Sequence, residues 1–265
     1  MSIEEALRHL QMDGYHVEHG VIPSDKVETV RESVQATSDS SASMAEVPGV
    51  DAETGLIGKD QSLAPYFADD RILGVAEALF GPHVRISFTT AIINNPDNPR
   101  GGWHSDWPFN QKNAGHIPAP YHDAVTHLTT IWMLSPFSPE TGGTLIVPGS
   151  HRADNNPTGD NGVDPMARYP TEMQATGDPG SVLLFDSRLW HATAKNRGDK
   201  PRVGVAVRFA PWWLNVDTLM PGSDLRNRMV DEVGGREPQQ SPVPPRVFDG
   251  LPDSVKSLFR HWVRD

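Results

Sequence analysis

Apolar positions recur at helical spacing through the first eighty residues and at strand spacing thereafter. Ile3, Ala6, Leu7 and Leu10 share one face of a helix that Gly14 closes. A short extended piece over 15–22 follows, and then Pro23-Ser24-Asp25. Ser24 is placed to cap a second helix with Val27, Val30 and Val34 on its buried face. The stretch ATSDSSASMAEVPG has no period and reads as a loop long enough to serve as a lid. Residues 69–80 return to helical pattern until Gly81-Pro82 stops it.

Beyond residue 82 the runs become β-branched. Strands are expected over 84–94, 126–134, 144–149, 181–186 and 202–211, separated by the turn clusters NNPDNPRGG, SPFSPETGG, GDPG and NRGDKP. No long helical pattern interrupts them, which disfavours a parallel βαβ sheet and points to an antiparallel sandwich or jelly roll. Two more helical patterns, around 222–232 and 252–263, flank a Pro-rich loop. No repeat or boundary divides the chain. A single domain is expected over 1–265: a helical part at about 1–82, a mainly β core at about 83–213 and a helical tail at about 214–265. The 24 prolines and 23 glycines suit this turn-rich β reading better than a helical bundle.

Composition narrows the chemistry. With no cysteine, disulfides, thiolate catalysis and Cys-ligated clusters are excluded, so any metal must sit on nitrogen and oxygen donors. A formal net charge of -11 argues against nucleic acid or an anionic membrane as partner, because phosphate surfaces recruit Lys and Arg. The opening MSIEEALRHLQMDG lacks the basic-then-apolar pattern of a signal peptide, and no apolar run is long enough to span a bilayer. A cytoplasmic protein acting on a small molecule is the expectation.

The candidate chemistry begins at Trp103-His104-Ser105-Asp106. On an extended strand, residues two apart share a face, so the His104 imidazole and Asp106 carboxylate can reach one ion. Alone the motif says little. Eleven histidines and 22 aspartates in 265 residues supply about one His-x-Asp by chance. Its surroundings add weight: Gly101-Gly102 precede it, and Trp103, Trp107 and Phe109 crowd it with aromatics, as at a strand edge opening into a pocket. His191 follows a much later apolar strand and offers a second imidazole, completing a facial two-His, one-carboxylate set that leaves positions open on Fe(II). Arg202 comes eleven residues after His191. In an antiparallel hairpin that offset would return a guanidinium to the site, where it could grip a carboxylate.

These residues, with DGYHVEHGVIP near the start and the run Gly142-Gly143-Thr144-Leu145-Ile146-Val147-Pro148-Gly149-Ser150-His151-Arg152, resemble the phytanoyl-CoA dioxygenase family of Fe(II)/2-oxoglutarate oxygenases over about residues 5–211. The resemblance implies a double-stranded β-helix, the jelly roll of cupin-like proteins, with flanking helices. It implies His104, Asp106 and His191 as iron ligands and Arg202 as anchor of the distal 2-oxoglutarate carboxylate. Thr193 and Asn94 would also contact that co-substrate. The activity implied is hydroxylation of a small organic molecule using dioxygen, with release of succinate and CO2. Halogenating relatives typically carry Gly or Ala at the carboxylate position, so Asp106 favours hydroxylation. Two other readings remain open: a cupin-like Zn or Mn enzyme, and a non-catalytic protein binding 2-oxoglutarate or another ligand on the same scaffold.

The remaining residues divide less sharply. Trp107 and Phe109 are candidates to touch substrate or to wall the pocket. His151 reads as a structural residue of the Pro-Gly-Ser turn. His116, His122 and His127 read as solvated loop histidines, one of which could face substrate. Trp212-Trp213 reads as core or rim packing. Asp186 and Arg188 fit either a carboxylate orienting an imidazole or a turn salt bridge.

Overall fold

The computed structural model describes residues 2–38, 47–109, 124–154, 157, 163–234 and 238–264. Helix α1 (Ile3–Met12) starts where the Ser2 side chain accepts the Glu5 N–H, and it buries Ala6 and Leu10. Strand β1 (Tyr15–Glu18) is shorter than expected, because Val21 and Ile22 turn away to bond the Gly180 carbonyl. Helix α2 (Val27–Ser38) begins three residues after Ser24, with the Pro23 carbonyl accepting the Lys26 and Val27 N–H groups. Ser24 is therefore a turn residue and not the cap. Strand β2 (Val50–Thr54) follows the expected loop where no element was assigned; a short edge strand with Asp, Glu and Thr leaves no apolar alternation to read. Helix α3 (Asp70–Phe80) is capped by Asp69.

The β core follows: β3 (Arg85–Asn94), β4 (Leu128–Met133), β5 (Leu145–Ile146), β6 (Met173–Gln174), β7 (Val182–Asp186), β8 (His191–Ala192) and β9 (Arg202–Ala210). A six-stranded sheet has the order β1-β7-β4-β9-β3-β2, and a three-stranded sheet the order β6-β5-β8. Every paired strand is antiparallel. Residues 193–201 therefore cross from one sheet to the other, and the hairpin expected between His191 and Arg202 does not form. In the tail, α4 (Asp224–Arg226) runs into a π-turn segment, while α5 (Pro245–Gly250) lies inside the expected Pro-rich loop and precedes α6 (Asp253–Phe259).

All nine residues of β9 are buried, so its two faces must be separated by their neighbours. Val203, Val205, Val207 and Phe209 join the main apolar core with Trp132, Leu184 and the helical residues Val34, Ile72 and Phe259. The other face carries Arg202, Gly204, Ala206 and Arg208. On neighbouring strands that inner face continues through Ile131, Met133, Leu183 and Phe185, which pack with Ile146 and Leu189 in a second core. Helices thus cover one side of the large sheet and the small sheet covers the other. No helix among the described residues is long and apolar enough to cross a membrane. Trp212 and Trp213, just past β9, are 62% and 57% exposed and take no part in the core.

Candidate metal centre

The site forms where the chain before residue 109 meets the far edge of the small sheet. The His104 N–H donates to the His191 carbonyl at 3.0 Å, and the His191 N–H returns the bond at 3.0 Å. Two residues 87 positions apart are thus cross-strand partners, with ring centroids 4.2 Å apart. The Asp106 N–H donates to the Ser187 carbonyl, tying the carboxylate to the β7–β8 turn. His104, Asp106 and His191 each offer a ligand atom within 4.8 Å of the others.

Both imidazoles are oriented by the backbone. His191 Nδ1 lies 2.8 Å from the Leu189 carbonyl and His104 Nδ1 lies 3.2 Å from that of Gly102. A carbonyl only accepts, so each Nδ1 carries a proton and Nε2 is the atom each ring offers to a cation. His191 Nε2 stands 3.7 Å from Asp106 Oδ1. Burial, then the neighbouring His104, pushes the His191 imidazole down to a pKa of about 4, so it is neutral and able to ligate at physiological pH. Two imidazole nitrogens and one carboxylate oxygen suit a divalent first-row cation and leave coordination positions for other ligands.

Asp106 is 2% exposed. Burial alone would raise its pKa, but Arg208, the two imidazoles and Thr129 outweigh that and hold it at about 2. Arg208 Nη2 donates to Oδ1 at 2.5 Å, and Thr129 Oγ1 donates to Oδ2 at 2.7 Å. The Arg208 guanidinium also stacks over Phe88 at 4.7 Å. Behind Thr129 lies a polar chain: Thr129 Oγ1 to Ser187 Oγ at 2.9 Å, Ser187 Oγ to His127 Nδ1 at 2.8 Å, and His127 Nε2 to Ser87 Oγ at 2.8 Å. His127 is fully buried, so it is no solvated loop residue. Burial, then Arg208, drives its pKa down to about 3. His116 and His122 lie outside the described residues.

Arg202 presents the opposite case. It starts β9 directly across from Asn94, and it is 4% exposed. No carboxylate pairs with it among the described residues; its guanidinium stacks on Phe137 at 4.3 Å, and burial lowers its pKa to about 10. Asn94 donates Nδ2 to the Ala194 carbonyl, while its Oδ1 has no partner. Gly142 (φ +80°) closes over this corner, where a Cβ would come within 3.0 Å of the Ala194 carbonyl and Asn94 Nδ2. Thr193 lies two residues past His191 and is half-buried; its carbonyl accepts the Gly101 N–H.

The other candidates make contacts of their own. His151 is buried beside Gly14 with Nε2 on the Gln11 carbonyl. Trp107 packs in the main core and meets the His127 ring edge-on. Phe109 is buried, its N–H bonded to the Asp106 carbonyl. Asp186 and Arg188 form a salt bridge of 2.6 Å across their own turn.

This fold and site define a class. A model of the phytanoyl-CoA dioxygenase family (PhyH) matches residues 10–204. The chain belongs to that family. It is 30% identical to the uncharacterized protein Rv1501 of Mycobacterium tuberculosis over 117 residues, 44% of this chain and 37% of that protein. It is 26% identical to an ectoine dioxygenase of Nocardia farcinica over 213 residues, 72% of this chain and 64% of that one. The chain thus spans less than two thirds of these curated relatives. Among solved structures, HygX from Streptomyces hygroscopicus, with nickel, 2-oxoglutarate and hygromycin B bound, shares the fold. Its TM-score is 0.61 at 20% identity over 80% of this chain and 88% of HygX.

Proposed function

We propose that this chain is an Fe(II)- and 2-oxoglutarate-dependent dioxygenase that hydroxylates a small organic molecule. The observation that carries the reading is the pairing of a two-imidazole, one-carboxylate donor set with a buried arginine that has no acidic partner among the described residues. An unpaired guanidinium in a dry interior costs stability unless an anion meets it. A shift from 12.5 to about 10 corresponds to roughly 3 kcal/mol. A co-substrate with a chelating end and a distal carboxylate would satisfy both features at once. A hydrolytic Zn or Mn centre would need only the first.

In this reading His104 and His191 supply Nε2 and Asp106 supplies Oδ1 to the metal. Arg202 takes the distal carboxylate, the Thr193 hydroxyl can donate to it, and Asn94 lies beside them, directly across from Arg202. When bound, iron, 2-oxoglutarate and dioxygen supply the oxidising power: one oxygen atom enters a substrate C–H bond and the other enters succinate as CO2 leaves. The protein's own share is to fix donor geometry, hold the co-substrate carboxylate and keep the interior dry. The family assignment and the 2-oxoglutarate present in HygX support the same chemistry. We read the whole chain as one oxygenase domain, its helical ends packed on the jelly roll.

The test is anaerobic reconstitution with Fe(II) and 2-oxoglutarate, followed by admission of air and assay of succinate. Succinate that depends on iron and air is expected. Failure to bind 2-oxoglutarate in the presence of Fe(II), together with turnover on Zn(II), would replace this reading with the hydrolytic one.

A further inference from the structure

We propose that Thr129, Ser187, His127 and Ser87 form a one-directional hydrogen-bond relay that positions Asp106 for metal binding through Oδ1 alone. The inference rests on the metal-site reading above. Four polar side chains from β3, the approach to β4, β4 and the β7–β8 turn converge on one carboxylate oxygen, and each is 0 or 1% exposed. With water excluded, each hydroxyl proton must be spent on a protein acceptor.

The direction follows from counting protons. The Asp106 carboxylate can only accept, so Thr129 spends its hydroxyl proton on Oδ2. Thr129 then has only lone pairs for Ser187, and the Ser187 hydroxyl must donate to it across 2.9 Å. Ser187 in turn can only accept from His127, which fixes the proton on Nδ1. His127 Nε2 is left bare, and Ser87 Oγ donates to it across 2.8 Å, with the Arg208 carbonyl a second, longer acceptor at 3.2 Å. Counted from Asp106, one orientation of Thr129 and of Ser187 and one tautomer of His127 satisfy the set. Bonds so aligned polarise one another, and the whole chain terminates on Oδ2.

Thr129 takes one lone pair of Oδ2, while Oδ1 is the atom that faces His191 Nε2 at 3.7 Å. Arg208 occupies one lone-pair direction of Oδ1 and leaves the other for a cation. The relay and Arg208 together set carboxylate rotation and single-oxygen ligation. Thr129 and Ser187 are positioning residues that act through Asp106. Partners of this kind typically change metal affinity by about 10–100-fold.

The test is Fe(II) affinity by anaerobic calorimetry and the visible spectrum of the Co(II)-loaded protein, with thermal unfolding as a fold control. Thr129→Val should raise the Fe(II) Kd about 10–100-fold and shift the Co(II) bands. Thr129→Ser, which keeps the hydroxyl, should restore both. Ser187→Ala should weaken Fe(II) by a smaller factor. The double variant should bind no worse than Thr129→Val alone, because the relay acts only through Thr129. An unchanged Kd and spectrum in Thr129→Val, or a Ser187→Ala loss that adds in full to it, would overturn the relay. If Thr129→Val fails to fold, Ser187→Ala decides: wild-type affinity there overturns the proposal. A wild-type chain that takes up no Fe(II) would overturn the metal-site reading and the relay with it, whereas wild-type uptake with unaltered variants overturns the relay alone.

Discussion

Arg202 and Arg208 stand on the same face of β9, six residues apart, and both are buried. One has no acidic partner among the described residues and the other is locked to Asp106. Gly204 and Ala206 between them keep the strand slim. A buried charge with a partner is part of the fold, because removing either member strands the other. A buried charge without one lowers stability until a ligand arrives, which is how a binding site differs from a structural ion pair made of the same side chain. The two ends of β9 thus answer different questions: Arg208 helps define where the Asp106 carboxylate sits, and Arg202 carries, in the proposed function, the question of what the site takes up.

Breaking the partnered end should produce the largest effect. Arg208→Met would leave Asp106 buried with Thr129 and two neutral imidazoles, and should destabilise the metal-free protein by about 3–5 kcal/mol in urea unfolding. Asp106→Ala should cost a similar amount and also abolish Fe(II) binding. If Arg208→Met unfolded at the wild-type midpoint, the pair would be an incidental contact.

The unpartnered end should respond with the opposite sign. Arg202→Met removes an uncompensated charge and should leave the metal-free protein as stable as wild type or up to roughly 3 kcal/mol more stable, a bound set by its pKa depression. The gain should be offset by loss of ligand response. For wild-type protein with Fe(II), 2-oxoglutarate at a hundred times its Kd should add about 2.7 kcal/mol of stability. The same concentration should add almost nothing to Arg202→Met. Equal stabilisation of both proteins would remove Arg202 from the co-substrate site.

The contrast also shows what the sequence can and cannot carry. His104 and Asp106 are neighbours two apart, and their shared face follows from local geometry. His191 and Arg202 were identifiable because family spacing stands in for the fold. The route was misjudged, since the chain between them crosses from one sheet to the other and no hairpin forms. Arg208 lies an even number of residues after Arg202, so strand alternation alone places them on one face, but nothing local says that Asp106 awaits it. The relay was less legible still. Thr129 and Ser187 are ordinary strand and turn residues in sequence, and His127 resembled a loop histidine because a Pro-rich, polar segment precedes it. Their role comes from contacts made 23 to 60 positions away. Strand β2 was hidden for a different reason, since an edge strand of mixed polarity has no period to detect.

The smallest expected effect is a pH slope, and it separates the relay's histidine from the carboxylate it serves. His127 has a folded pKa of about 3 against an ordinary 6.5, so below pH 6.5 the unfolded chain binds a proton that the folded chain refuses. Its contribution makes stability fall as pH drops from 6.5 towards 3, by about 1.4 kcal/mol per pH unit. Asp106 works the other way and elsewhere: its pKa is depressed from 3.8 to about 2, so its stabilisation is complete above 3.8 and lost as pH falls through 2. Between pH 4.5 and 6 Asp106 does not respond. His127 does, together with His191 and His261, whose pKa values are depressed in the same direction, so the His127 share is read as the difference between variant and wild type. His127→Asn, which can still donate towards Ser187, should flatten the slope of urea-unfolding free energy by about one proton's worth in that window, measured in chelator so that no metal contributes. A variant with the wild-type slope would mean that His127 is hydrated and protonatable in the native state, and a relay built on a single neutral tautomer could not then hold.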